Sequence, residues 1–391
     1  MRKAFVSLFI AVAVAMIGVG IIAPILPLYA KTFAASGVSI GLVFAAFSLS
    51  RSLMGPLVGR LSDLVGRKRI LTVGLAGYAA ISVLYVVATT LWQLGAFRFV
   101  QGLASVMVTP IAQAYIGDIT PPGKEGRYMN AFYTSMFLGM AAGPILGGGL
   151  GDIWSYHSAF YAMGILSVVA LVLVLLTLPE NQTQNKSREA QANDIVPLRK
   201  VLKNDAVKGM CVYLATRGFW RHGFNTFYPL FAVSTSGISE AGIGTVLSTY
   251  MLGGGLMQIP FGFLADRYSH FPQIVIGSTF APLLLLVIPF VDSLWGVVVI
   301  TFFMGALSAL SRASILAIRT QLGRTHGMGT LAGLQGGAFA AGQMIGPVAS
   351  GGIVDLFGLS AVFPFGSLVG LVGTGFTIGW LRRWQRKGKP L

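Results

Sequence analysis

The sequence predicts an all-α membrane protein with twelve transmembrane helices in two parallel six-helix repeats. Three observations predict it. First, 54% of the 391 residues are hydrophobic and only 10% are charged, with a mean hydropathy of +0.75, whereas soluble domains carry roughly 25% charged residues. Second, the basic residues are placed, not scattered. The chain holds 28 Lys and Arg against 12 Asp and Glu, a net charge of +16, a balance that in a soluble protein would point to nucleic acid. Yet 22 of the 28 fall at alternate inter-helix connections or at the two ends, and the other connections hold only Lys31. By the positive-inside rule both termini and the central loop are cytoplasmic. Third, the halves repeat. Gly59, Asp63, Gly102, Gly143, Pro144 and Asp152 recur as Gly262, Asp266, Gly305, Gly346, Pro347 and Asp355, always 203 residues on. With six helices each, the halves share one orientation and are related by an axis along the membrane normal.

Taken in order, the first apolar run, 4–30, begins behind Arg2 and Lys3. It is too long for a secretory leader and has no convincing cleavage site, so it reads as a retained helix. Spans at 38–60, 69–89, 91–116, 127–150 and 157–178 follow, each ended by polar or basic punctuation. The one long polar stretch, 179–205, divides six helices from six. The second set covers 206–232, 240–264, 271–291, 293–319, 328–352 and 360–381. The domains are thus an N-terminal bundle over 1–178, a cytoplasmic linker over 179–205, and a C-terminal bundle with a basic cytoplasmic tail over 206–391. The single cysteine, Cys211, excludes a disulfide framework within the chain and reads as a small buried hydrophobe.

Gly59-Arg60-Leu61-Ser62-Asp63-Leu64-Val65-Gly66-Arg67 follows the second span and is echoed after the eighth by Gly262 to Tyr268, with Asp266 inside it. The glycines permit close approach and a tight turn, and the carboxylate suits the positive end of a neighbouring helix. On the fifth span Gly139, Gly143 and Gly147 stand four apart and share one face, and Pro144 removes a backbone bond. Gly342, Gly346, Pro347 and Gly351 repeat this in the eleventh. Simple small-residue helix packing uses the same pattern. Arg98-Phe-Val-Gln101-Gly102 marks the fourth span and Ala46-Phe-Ser-Leu-Ser-Arg51 the second.

These elements resemble, in that order, motif A, motif C and motif B of the major facilitator superfamily, and the helix-2 stretch is similar to its twelve-helix drug:proton antiporter branch. The resemblance covers nearly the whole chain. It implies two bundles rocking around a midplane site, with Gly59, Asp63, Gly66, Arg67 and the copy at Asp266 latching the cytoplasmic side. Asp118, at the end of the fourth helix, is the expected partner of Arg67. Leu64 stands where the family usually carries a basic residue. Gly139, Gly143, Pro144, Gly147, Gly346 and Pro347 are the expected packing residues, and Arg98 is expected inside the N-terminal bundle.

Away from the span ends five basic residues remain, Arg51, Arg98, Arg217, Arg221 and Arg312, and no carboxylate lies in a span's middle. A central arginine costs about 2.5–3.5 kcal/mol on insertion scales, so these need water, backbone carbonyls, aromatic faces or an anion. Tyr213, Arg217, Arg221, Phe224 and Tyr228 fall at i, i+4, i+8, i+11 and i+15, one stripe of the seventh helix. Two arginines one turn apart repel, and a carboxylate, phosphate or sulfate group would relieve that repulsion through bidentate donation. In the competing reading Arg221 snorkels outward, Arg217 bonds backbone oxygens, and Arg51, Arg98 and Arg312 are structural. His222, the one histidine in a helix middle, is a candidate proton carrier. Arg221 beside it opposes protonation, and a hydrogen-bonded structural role competes. Phe132, Tyr133, Phe137, Phe219 and Trp220 either line an apolar cavity or pack the bundles.

No Walker loop, metal cluster or nucleophile arrangement occurs in the sequence, so the reading is a transporter and not an enzyme, with no cofactor and no metal. The substrate-binding candidates are Arg51, Arg98, Gln101, Tyr213, Arg217, Arg221, Phe224, Tyr228 and Arg312. Expected partners are a small-molecule substrate, protons and the lipid bilayer, with no nucleic acid. The chain is expected to be a monomer, multi-pass, in a plasma membrane of the bacterial inner-membrane type. The resemblance implies efflux by substrate:proton antiport. The missing embedded carboxylate keeps an alternative open: an organic-anion, phospholipid or anionic-metabolite exchanger or facilitator that uses the arginines. A receptor built on a transporter fold is the reading from another class, and the short loops count against it.

Overall fold

The computed structural model describes residues 2–121, 124–179 and 201–387. Most of the expected linker, 180–200, and the end of the basic tail, 388–391, lie outside the described residues. Among the described residues the regular structure is helical. We number the long helices α1 (Arg2–Lys31), α2 (Gly37–Val65), α3 (Arg67–Val86), α4 (Leu91–Ile119), α5 (Glu125–Ile153) and α6 (Tyr156–Thr177) in the first half. The second half holds α7 (Asp205–Ser236), α8 (Glu240–Arg267), α9 (His270–Leu283), α10 (Leu294–His326), α11 (Met328–Phe357) and α12 (Val362–Arg386). Short 3-10 turns carry α9 on to Phe290.

Local chemistry sets the helix starts. Ser36 caps α2 by accepting the Ser39 amide, and Thr90 and Gln93 form a reciprocal capping box at α4. Asn204 accepts the Ala206 amide at the start of α7. Between α2 and α3 a single residue, Gly66, takes φ +104, a conformation that a side chain would strain.

Several helices overrun their predicted spans, because helical hydrogen bonding continues past the apolar stretch. This corrects one placement. Asp63 lies within α2 and Asp266 within α8, not in the connections after those helices. Among the described residues nine helices are long and apolar enough to cross a membrane on length and composition alone. The three that fall short are α7, α8 and α11. α7 carries Arg217, Arg221 and His222, and the other two are diluted by glycine and by Gln258, Gln335 and Gln343.

The chain divides into two compact units, Met1–Gln184 with Tyr228–Ser248, and Asn185–Phe227 with Thr249–Leu391. The end of α7 and the start of α8 thus belong to the first unit. In that unit α1 packs against α5 and α6, α2 against α4, and α3 against α4 and α6. In the second, α9 packs against α10 and α12, and α10 against α11.

The 203-residue repeat holds at the level of single contacts. A Cβ at Gly102 would collide with the Phe47 carbonyl oxygen, and one at Gly305 with that of Tyr250, the residue 203 positions on. Gly74 lies against Ala104 and Val108 as Gly277 lies against Leu307 and Ser311. Small residues here let backbones approach closely, which in a lipid medium supplies the packing that water-driven burial cannot.

Candidate functional site

In the first unit Arg98 is held by three groups. Its Nη1 donates to Gln101 Oε1 at 2.8 Å, and its guanidinium stands over the Phe44 and Phe47 rings at 4.7 and 4.8 Å. Gln101 is fully buried and also accepts from the Tyr85 hydroxyl at 2.9 Å. Arg51 stands 5.5 Å from the same Phe47 ring. These are cation–π seats, which carry a desolvated charge without a carboxylate.

At the end of α4 Asp118 lies 2.7 Å from Arg67 Nε, and Asp63 is 3.7 Å from Arg67 Nη2. One arginine therefore ties the C-terminal ends of α2 and α4 to the start of α3. Asp266 is an electrostatic neighbour of His270 at the start of α9.

The glycine face of α5 is covered by α1. Cβ atoms at Gly139, Gly143 and Gly147 would strike the backbone oxygens of Ala13, Ile17 and Ile21. In the second unit Gly342 and Gly346 meet Ala215 and Phe219 of α7 in the same manner. Another side of α5 meets the start of α8. Gly148 lies against the Glu240 carbonyl and Gly244 against that of Pro144. The Asp152 carboxylate accepts the Glu240 and Ala241 amides at 2.8 and 2.9 Å. It so satisfies two of the open donors in the first turn of α8. The Glu240 carboxylate itself rests against Gly151 and pairs with the Tyr156 hydroxyl. Sequence reasoning noted Asp152 only as half of a repeat pair and missed this cap, because nothing local announces a cap supplied by another helix.

The α7 stripe does not converge on one place. Tyr213 is buried and shares a 2.7 Å hydrogen bond with Ser311 of α10. Arg217, 7% exposed, stands 5.9 Å from the Phe339 ring. Arg221 stands 5.1 Å from the Tyr250 ring and donates to Met251 Sδ at 3.3 Å. Phe224 is turned against Phe363 at 6.4 Å, and Tyr228 is buried in the first unit. Arg312 of α10 bonds Gln258 Oε1. Arg217, Arg221 and Arg312 lie close enough to oppose one another electrostatically, and the phenol of Tyr250 sits in the field of all three. Among the described residues no carboxylate forms an ion pair with Arg217 or Arg221.

Tyr250 and Phe47 occupy equivalent repeat positions, so each unit seats guanidinium on the same aromatic. The sequence signal for Tyr250 was the 203-residue offset applied to an aromatic.

His222 is engaged at both ring nitrogens. Nδ1 bonds the Gly218 carbonyl at 3.0 Å and Nε2 meets the Gln343 amide at 2.6 Å. With the Gln343 amide as donor to Nε2, that pattern places a ring proton on Nδ1. Phe132 is fully buried, Tyr133 accepts from Gln113, and Phe219 packs edge-on against Phe365. Among the described residues no group of three or more His, Cys, Asp or Glu could hold a metal ion.

Comparison with known proteins agrees with this architecture. The family model of the Major Facilitator Superfamily matches residues 8–235 and 209–390. An uncharacterised MFS-type transporter, MJ1560, of Methanocaldococcus jannaschii is 27% identical over 366 residues, which cover 91% of this chain and 92% of the relative. The quinolone resistance protein NorA of Staphylococcus aureus is 25% identical over 91% of each chain. Among solved structures, a bacterial homologue of the human lysosomal transporter Spinster superposes with a TM-score of 0.82 at 15% identity, covering 98% of both chains. The human organic anion transporter MFSD10 superposes with a TM-score of 0.63 at 16% identity, over 96% of this chain and 99% of that one. At these identities the structures speak for the fold alone.

Proposed function

The chain belongs to the Major Facilitator Superfamily, a multi-pass membrane transporter family, and from that premise we propose that it exports a small organic substrate by alternating access in exchange for protons. Export is in keeping with the similarity to NorA, a quinolone resistance protein, and exchange with the glycine–proline helix α5, whose tight seams with α1 and with α8 suit a face that must both pack and slide. Both termini are assigned to the cytoplasm of a plasma membrane on the placement of the basic residues. A reporter fused after Leu391 should read cytoplasmic and one inserted near Ser155 external.

One observation favours a second reading of the substrate. Arg217, Arg221 and Arg312 share a region with Tyr250, and among the described residues no carboxylate is ion-paired with Arg217 or Arg221. Such a region repels cationic drugs and suits a substrate that carries a carboxylate, phosphate or sulfate group, exported with or without a proton. Reconstituted protein tests both points. Uptake and efflux of anionic, neutral and cationic dyes should be compared with and without a pH step. Efflux of anionic dye that needs the pH step supports the antiport reading. Anion flux that persists without it leaves an exchanger or facilitator. Transport restricted to cations, unchanged in Arg221→Ala, would remove the arginine reading.

A further inference from the structure

The tie of Arg67 with Asp63 and Asp118 has a counterpart in the second unit. The 203-residue offset that relates the halves carries Asp63, Arg67 and Asp118 onto Asp266, His270 and Gln321. Each keeps its place in its helix, with Asp266 at the end of α8, His270 at the start of α9 and Gln321 near the end of α10. Where the first unit sets a permanent cation between two carboxylates, the second sets a titratable ring between one carboxylate and an amide.

The contacts differ accordingly. Arg67 Nε lies 2.7 Å from Asp118, whereas Gln321 Nε2 meets His270 Nε2 at 3.5 Å, which is long for a hydrogen bond. With that amide as donor the ring's proton sits on Nδ1, and Nδ1 is buried and makes no hydrogen bond. The ring as a whole is only 7% exposed. Gln273 does not serve it. Its amide nitrogen donates to the Leu264, Tyr268 and Ser269 carbonyls at 3.1, 3.4 and 3.2 Å, and its oxygen accepts from Ser314. Those bonds fix the turn that carries His270.

The titratable and charged groups on the elements around the ring are Asp266, Arg267 and Tyr268 of α8, Arg319 of α10 and the basic end of α12 that begins at Arg382. Among the described residues Asp266 is the one that acts on the ring electrostatically, and Arg382 is turned to the Phe271 face at 5.6 Å. Burial resists a second proton on the ring, and Asp266 favours it. The helix dipole at the start of α9 resists a cation as well, just as it does for Arg67 at the start of α3.

We propose that His270 is a proton-binding site of the second unit, whose second proton completes with Asp266 and Gln321 the tie between α8, α9 and α10 that Arg67 makes permanently between α2, α3 and α4. With a neutral ring the tie is slack. With a charged ring Asp266 gains a cation to pair with, and Gln321 turns its oxygen to Nε2. These helix ends therefore respond to the pH of the side they face, which the placement of the basic residues assigns to the cytoplasm. The inference holds whether or not flux is coupled to protons, since it concerns a tie within one unit.

The test uses the full-length chain in nanodiscs, with its four histidines labelled with nitrogen-15 and the His270 signal assigned by its loss in His270→Gln. The ring should take its second proton between about pH 7 and pH 5, around the ordinary histidine midpoint of about 6.5. Asp266→Asn should weaken that proton binding and Gln321→Asp should strengthen it, each roughly two- to fivefold in proton concentration, the range of an exposed ion pair. In a Cys211→Ser background, spin labels at the ends of α8 and α10 should draw together in wild type as pH falls. They should stay together at every pH in His270→Arg and apart at every pH in His270→Gln. Those two substitutions fall at a buried place where the chain could fail to fold, so the exposed positions Asp266 and Gln321 keep the test decisive without them.

A His270 ring that stays neutral down to pH 5 would overturn the proposal. So would one midpoint shared by wild type, Asp266→Asn and Gln321→Asp, or a pH-dependent distance that survives in His270→Gln.

Discussion

Removing the Asp152 carboxylate should loosen the joint between α5 and α8. That carboxylate accepts two backbone amides at 2.8 and 2.9 Å, so the first turn of α8 is capped by a residue 88 positions earlier in the chain. Substituting a helix cap by alanine costs about 0.5–2 kcal/mol, and a hydrogen bond to a charged group is worth about 1.5–3 kcal/mol when buried. The two bonds are exposed, so the lower range applies. We expect about 1–2 kcal/mol for Asp152→Ala, a five- to thirtyfold shift in the ratio of joined to parted α5–α8 ends. Asp152→Asn keeps one acceptor oxygen and should lose about half as much. The single cysteine simplifies the assay. In a Cys211→Ser background, spin labels near the end of α5 and the start of α8 report the distance distribution directly. The parted population should rise in the order wild type, Asp152→Asn, Asp152→Ala. Identical distributions in all three would show that the glycine seam holds the joint alone and that the cap contributes nothing.

Further outcomes follow from other contacts. Arg67→Gln and Asp118→Asn should each impair transport, and the double variant should be no worse than either alone, since the pair acts as one unit; full additivity in flux would separate the two residues. Gly102→Ala and Gly305→Ala push on the backbones of Phe47 and Tyr250, and overpacking of this kind costs about 1–3 kcal/mol in thermal stability; only Gly305→Ala should also change the affinity for an anionic dye, because only Tyr250 seats Arg221. The hydrogen bond from Lys387 holds the Asp205 carboxyl below its ordinary range. Its stabilisation should therefore be complete above the unfolded pKa near 4 and fade as pH falls through the lower folded value. Melting curves between pH 6 and 3 should show that loss in wild type and not in Asp205→Asn.

The class of fold was legible because hydropathy, basic-residue placement and the repeat are independent signals that agree. The repeat was even richer than the identities first noticed, since Gly74 and Gly277 obey the same offset and make the same contact. The pairing of Arg67 with Asp118 was accessible from family likeness. The α7 stripe was less so. At 3.6 residues per turn, four positions advance a helix face by about 40° and eight by about 80°, so Tyr213, Arg217 and Arg221 address Ser311, Phe339 and Tyr250 on three different helices. Contacts across helices far apart in sequence, such as the Asp152 cap or the bond of Arg312 with Gln258, leave no periodic trace at all.

The repeated glycine–aromatic contact has an evolutionary reading. Gly102 against Phe47 and Gly305 against Tyr250 make one joint twice, whereas the guanidinium resting on that aromatic comes from α4 and α2 in one unit and from α7 in the other. The two repeat copies thus share the close contact and differ in the source of their charge. A saturation-mutagenesis map of this chain should correlate with itself at a lag of 203 residues for glycines and lose that correlation at arginines. Selection would then be seen acting on the joint twice and on each charge only once.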